Sequence, residues 1–85
     1  MRTATQNHLV SLLQQLRQHR MATGADRRNL LRVMRDADMQ DELLRRIREK
    51  YGVNVDNLRA LLQLFVEYAP QLLKIVADVI SMFSS

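Results

Sequence analysis

The 85-residue chain contains no cysteine, one proline and two glycines. Without cysteine, no disulfide or thiolate metal site can brace it, and the absence fits a reducing, cytoplasmic setting. One proline and two glycines leave little turn chemistry for a sheet. Leucine is abundant, while valine and isoleucine are modest. Together these features predict an all-α protein. A chain of this length buries only about 60% of its unfolded surface or slightly more, so its core is thin.

Other absences bear on function. There is no Ser/His/Asp or Cys/His arrangement and no glycine-rich phosphate loop. No residue is expected to be catalytic, to bind a cofactor or to hold a metal, so the expectation is a non-enzyme without cofactors. The opening "MRTATQNHLVSLLQQL" does not read as a signal peptide. Its apolar residues are spaced at intervals, and no small-residue cleavage site follows a continuous apolar run.

The charge that is present is unevenly placed. Residues 1–50 hold eleven Lys/Arg against six Asp/Glu, or +5, and residues 51–85 hold two against three, or −1, which sums to the net +4. The basic character belongs to the first half and the last third is greasy. Such asymmetry is compatible with an anionic partner, and equally with simple solubility.

Hydrophobic spacing divides the chain. A first helix is expected from Gln6 to about Thr23, capped by Thr5 or Thr3, with Leu9, Leu12, Leu13 and Leu16 as its apolar stripe. Gly24 is the expected left-handed stop. Asp26 then opens a second helix, with Ala25 and Leu30 as a hydrophobic staple, and Leu30, Val33, Met34 and Ala37 face inward. The later set Leu43, Leu44, Ile47 and Tyr51 points about 75° away from that stripe. A straight helix cannot bury both, so a break is expected near Asp36–Asp38, with Asp38 as cap. Asp41–Arg45 and Glu42–Arg46 are acid-before-base pairs four residues apart. Gly52 ends the third helix. In "VNVDNL", Asn54 is the expected cap, with Val53 and Leu58 as staple. Ser84 and Ser85 are expected to fray.

Several tempting motifs fail. An EF-hand loop starting at Asp36 would need glycine sixth and glutamate twelfth, and those places hold Asp41 and Ile47. His8 and His19 sit about 16 Å apart along the first helix, too far to share an ion. "LVSLL" and "LRALL" match a groove-docking pattern that leucine-rich helices produce constantly, and core packing is the simpler reading. Arg28, Arg32 and Arg35 share the outward face of the second helix and form a candidate nucleic-acid or anion contact. A helix-turn-helix reading is disfavoured, because its recognition helix would begin with Asp38, Asp41 and Glu42.

The stretch "LLQLFVEYAPQLLKIVADVI", residues 61–80, carries the main inference. Arg59, Gln63, Glu67, Gln71, Lys74, Asp78 and Ser81 keep within an arc of about 120° across residues 57–83, and Pro70 falls in that arc. The stripe keeps phase across the proline, which predicts a single long helix bent at Pro70, about 40 Å end to end. It is not a membrane span, since no run reaches the roughly 18 uncharged apolar residues needed. Its apolar arc of about 240° exceeds the stripe of a little over 100° that a packed helix usually hides. Three short helices would leave part of it wet.

The expectation is therefore one domain over residues 1–85, a small helical bundle of four or five helices, the last long and bent. It is expected to act as a homodimeric interaction or regulatory module. The expected interface comprises Leu61, Leu64, Phe65, Tyr68, Leu72, Ile75, Val79, Ile80 and Phe83. The alternative is a small basic nucleic-acid-binding protein using the arginine face. A membrane partner is disfavoured, because the basic residues lie away from the greasy segment.

Overall fold

A computed structural model describes residues 2–84. Among the described residues there are five α-helices and no strand: α1 (Ala4–Arg17), α2 (Gly24–Met34), α3 (Ala37–Tyr51), α4 (Leu58–Glu67) and α5 (Ala69–Ser84). The all-α bundle expected from composition is what forms.

Short polar side chains decide where each helix begins. Thr3 accepts from the Gln6 amide at 3.1 Å, and Gln6 Oε1 accepts from the Thr3 amide at 2.9 Å. This reciprocal pair satisfies two amides that lack helical partners. Thr5 is therefore not the cap, and its hydroxyl donates instead to Asp56 Oδ1 at 2.6 Å.

α1 stops at Arg17, short of the expected Thr23. The chain turns through residues 18–21, where His19 Nδ1 accepts from the Met21 amide at 3.2 Å. A second capping box, Thr23 with Asp26, then opens α2. Gly24 is consequently the first residue of a helix and not a left-handed stop. Gly52 is the one glycine at positive φ, at 66°.

The break between α2 and α3 falls where the change of stripe direction requires it. Its cap is Asp36, two residues before the expected Asp38, and Asp36 Oδ1 accepts from the amides of Asp38 and Met39. Gln40 seals the corner from inside. It is almost fully buried, and its Nε2 donates to the carbonyls of Val33 at 2.9 Å and Met34 at 3.1 Å. These carbonyls close the last turn of α2, where helical partners run out.

Beyond Gly52, Asn54 Oδ1 accepts from the Asp56 amide, while Asn57 caps α4 through the Ala60 amide. The Asn54 cap and the Val53–Leu58 staple do not form. Val55 is the buried anchor of this loop, and Leu58 stands 44% exposed.

The expected long bent helix is in fact a corner. α4 and α5 meet at 101°, and the break is at Tyr68 (φ −121°, ψ 30°). Pro70 is the second residue of α5, where a missing amide costs nothing because first-turn amides have no helical partner. The longest dimension of the molecule is 29 Å, so no rod of 40 Å exists. Common phase of the polar residues showed that both helices serve one core. It could not fix the angle between them.

That corner changes how the apolar arc is covered. α5 packs against α2 and α3, and α1 packs against α2, α3 and α4. Ala22 and Val55 plug the core from the connections between helices, and Ala69 joins it from the first turn of α5.

Candidate interaction surfaces

The nine residues of the expected interface separate into three groups. Leu61, Leu64, Phe65, Leu72, Ile75 and Val79 lie in the core of the single chain, with Leu61, Leu72 and Val79 fully enclosed. They are not available to a partner while the chain is folded. Ile80 and Phe83 are partly buried against the same core. Only Tyr68 is exposed, at 39%. The physical reason is the turn at Tyr68, which gives α4 and α5 separate sets of neighbours.

Apart from Met21, 55% exposed between α1 and α2, the large apolar side chains left outside are elsewhere on the same segment. Leu58, Leu62 and Val66 on α4 are 44%, 43% and 74% exposed. Four-residue steps place them in one row along the helix, beside the buried row and not opposite it. The next row over is Arg59, Gln63 and Glu67, all exposed. Gln63 Nε2 donates to Glu67 Oε1 at 3.2 Å, so that row is ordered along the helix. Met82, 45% exposed near the end of α5, accepts through Sδ from Arg46 Nη2.

A shallow cavity of about 220 Å³ lies at the α3–α4 junction, lined by Tyr51, Val53, Ala60, Gln63, Leu64, Glu67 and Tyr68. The two tyrosine rings are 5.2 Å apart and tilted by 43°, so they pack on each other and leave no slot between them. The Tyr51 hydroxyl is enclosed and has no hydrogen-bond partner. Burial first, and Tyr68 second, push its ionisation above the ordinary tyrosine range.

Arg28, Arg32 and Arg35 are all exposed on α2. Arg32 Nη1 donates to Ser84 Oγ at 2.9 Å, which ties the last turn of α5 to α2. Ser84 is thus helical and bonded. Ser85 lies outside the described residues. Residues 17–35 hold six arginines (17, 20, 27, 28, 32 and 35) and one acid, Asp26, or +5. Among the described residues all three ion pairs are on α3, joining Glu42 to Arg45 and Arg46, and Arg45 to Glu49. None neutralises the α2 arginines.

The acids of "DADMQDE" each have a structural task. Asp36 caps α3 and Asp38 lies in its first turn. Asp41 accepts from Gln6 Nε2 at 2.8 Å, which joins α3 to α1 in place of the expected Asp41–Arg45 pair. Glu42 takes hydrogen bonds from Arg45 and then Arg46, and these hold its carboxyl down at about 2. Among the described residues no group of three or more His, Cys, Asp or Glu could hold a metal ion, and no single helix is long and apolar enough to cross a membrane.

Sequence reasoning missed Gln40 and Gln6 as structural polar groups. Gln6 did carry a signal, three residues after Thr3. Gln40, set among acids, carried none. No family model, curated protein or solved structure matches the chain.

Proposed function

We propose that the chain is a non-catalytic interaction or regulatory module of the cytoplasm. It works as a homodimer through its apolar C-terminal segment, and the contact face is the outer row of α4. One observation supports this most: Leu58, Leu62 and Val66 form a continuous exposed row on a helix whose adjacent face is fully used by the core. Apolar surface gathered in this way marks interaction sites more often than scattered single residues do.

Magnitude sets the character of the dimer. Hiding the exposed Leu/Val row of both copies, six side chains in all, gains on the order of 1 kcal/mol each. Association costs about 4 kcal/mol or more in lost freedom. The dimer is therefore weak and concentration-dependent. Sedimentation equilibrium from about 1 µM to about 1 mM brackets that range. The mass should rise from 10.0 kDa toward twice that value. A mass constant at 10.0 kDa throughout refutes the homodimer.

The second reading is a nucleic-acid-binding protein that uses Arg28, Arg32 and Arg35. The unneutralised +5 of residues 17–35 supports it. The acidic start of α3 opposes it, since Asp36 and Asp38 repel phosphate. Binding of random duplex DNA at low salt that falls steeply with added salt, and is lost on replacing the three arginines by alanine, favours this reading. No binding at low salt removes it.

A further inference from the structure

The rows of α4 contain more than an apolar stripe. Leu58, Leu62 and Val66 step by four residues and span about 12 Å along the axis. The neighbouring row repeats that step with Arg59, Gln63 and Glu67: a cation at one end, a neutral amide in the middle and an anion at the other. Rows with four-residue spacing are the ridges by which helices interlock, with axes crossing at about −50°.

A charge order of this kind is self-complementary in one orientation only. When two copies of α4 lie side by side and run in opposite directions about a two-fold axis at Leu62, Arg59 of each meets Glu67 of the other. Both contacts are then opposite in sign. Gln63 meets Gln63 at the centre, where no charge is stranded. On the apolar row, Leu58 meets Val66 and Leu62 meets its own counterpart. Running in the same direction about a two-fold axis, the helices would put the two charged rows on opposite flanks of the contact, where they could not pair. Closed two-fold contacts require a patch that complements itself, and this patch does.

We infer that α4 binds a second copy of this chain in antiparallel fashion, with Leu58, Leu62 and Val66 as its centre and two Arg59–Glu67 pairs fixing its direction. The inference rests on the homodimer proposed above and adds its geometry. All six residues of the two rows are exposed, so the copies meet without opening either core.

The test is a charge-swap series followed by sedimentation equilibrium at low salt: Arg59→Glu, Glu67→Arg, the double variant, and an equimolar mixture of the two single variants. Circular dichroism checks that each keeps its helicity. Each single variant alone faces like charges twice, and its dimer should weaken by about tenfold or more. The double variant should return to near wild-type association. The mixture should form a heterodimer more readily than either component forms a homodimer, because every facing pair is again opposite in sign. If the wild type dimerises and both single variants dimerise equally well, the antiparallel α4 contact is overturned while the homodimer survives. If the wild type stays monomeric at all concentrations, both fall together.

Discussion

The rings of Tyr51 and Tyr68 meet at 5.2 Å across the junction of three helices. One closes α3, and the other occupies the residue at which α4 gives way to α5. The pair thus pins the 101° turn between α4 and α5 to the end of α3. The contact has a polar flaw, because the enclosed Tyr51 hydroxyl finds no partner.

Tyr51→Phe keeps the ring contact and removes the flaw. The variant should be more stable by about 0.5–1 kcal/mol in urea unfolding. It should also change the alkaline limb. The folded chain holds the Tyr51 proton to higher pH than the unfolded chain does. Its contribution is therefore intact below the ordinary tyrosine pKa, near 10, and is lost as pH rises past it. Tyr51→Phe should unfold less readily than the wild type above about pH 10. An unchanged alkaline limb contradicts the assignment.

Gln40 is the second test. Gln40→Ala removes two bonds to carbonyls and leaves a void in the core. The expected loss is about 2–3 kcal/mol, or a fall of roughly 8–24 °C in melting temperature for a domain of this size. Gln40→Met keeps the volume and should lose less, about 1–2 kcal/mol, chiefly from the Met34 carbonyl, since that of Val33 still accepts from the Asp36 amide. If both variants melt with the wild type, Gln40 does not hold the α2–α3 corner.

Glu42 governs part of the acid limb. Its carboxyl sits at about 2 in the folded chain, against an ordinary value of 4.5. A lowered acid pKa adds stability above the ordinary value, and that stability is lost as pH falls toward the folded value. Glu42→Gln should therefore unfold more readily than the wild type at neutral pH. The difference should close between about pH 4.5 and about pH 2. Urea midpoints across that range provide the check. The side chain is near the surface, so the difference should be small and should shrink in high salt.

Gly52 tests the backbone. Its φ is 66°, and a Cβ there would meet nothing within 4 Å. Gly52→Ala should cost about 1 kcal/mol from conformation alone, with no steric clash. Gly52→Asn should cost less, since asparagine tolerates the left-handed region. Thermal melts of the two variants separate these outcomes.

The elements legible in the sequence were those set by local chemistry or by helical phase. The change of stripe direction between Val33 and Leu43 located the α2–α3 break, and Gly52 marked its helix end. Gly24 misled because glycine serves both ends of a helix, and the Thr23–Asp26 box outweighed it. Tyr68 is no breaker itself, but Pro70 two residues later is one, and its signal marks the start of α5 and not a bend within one helix. The turn there is set by tertiary packing, which lets Phe65 and Leu72 enter one core from two directions. The same turn moved the free apolar surface from the expected interface to Leu58, Leu62 and Val66. Their four-residue spacing beside Arg59, Gln63 and Glu67 was readable, but its exposure depended on an angle that no periodicity encodes.

Packing of α5 between α2 and α3 has a consequence for synthesis. The first three helices emerge from the ribosome before their principal covering exists. The core residues Leu30, Leu43 and Ile47 of α2 and α3 must wait for Leu72, Val76 and Val79 of α5, made roughly 25 to 50 residues later, on the order of several seconds at ordinary elongation rates. Until then the apolar faces of α2 and α3 lack the helix that covers them in the finished fold.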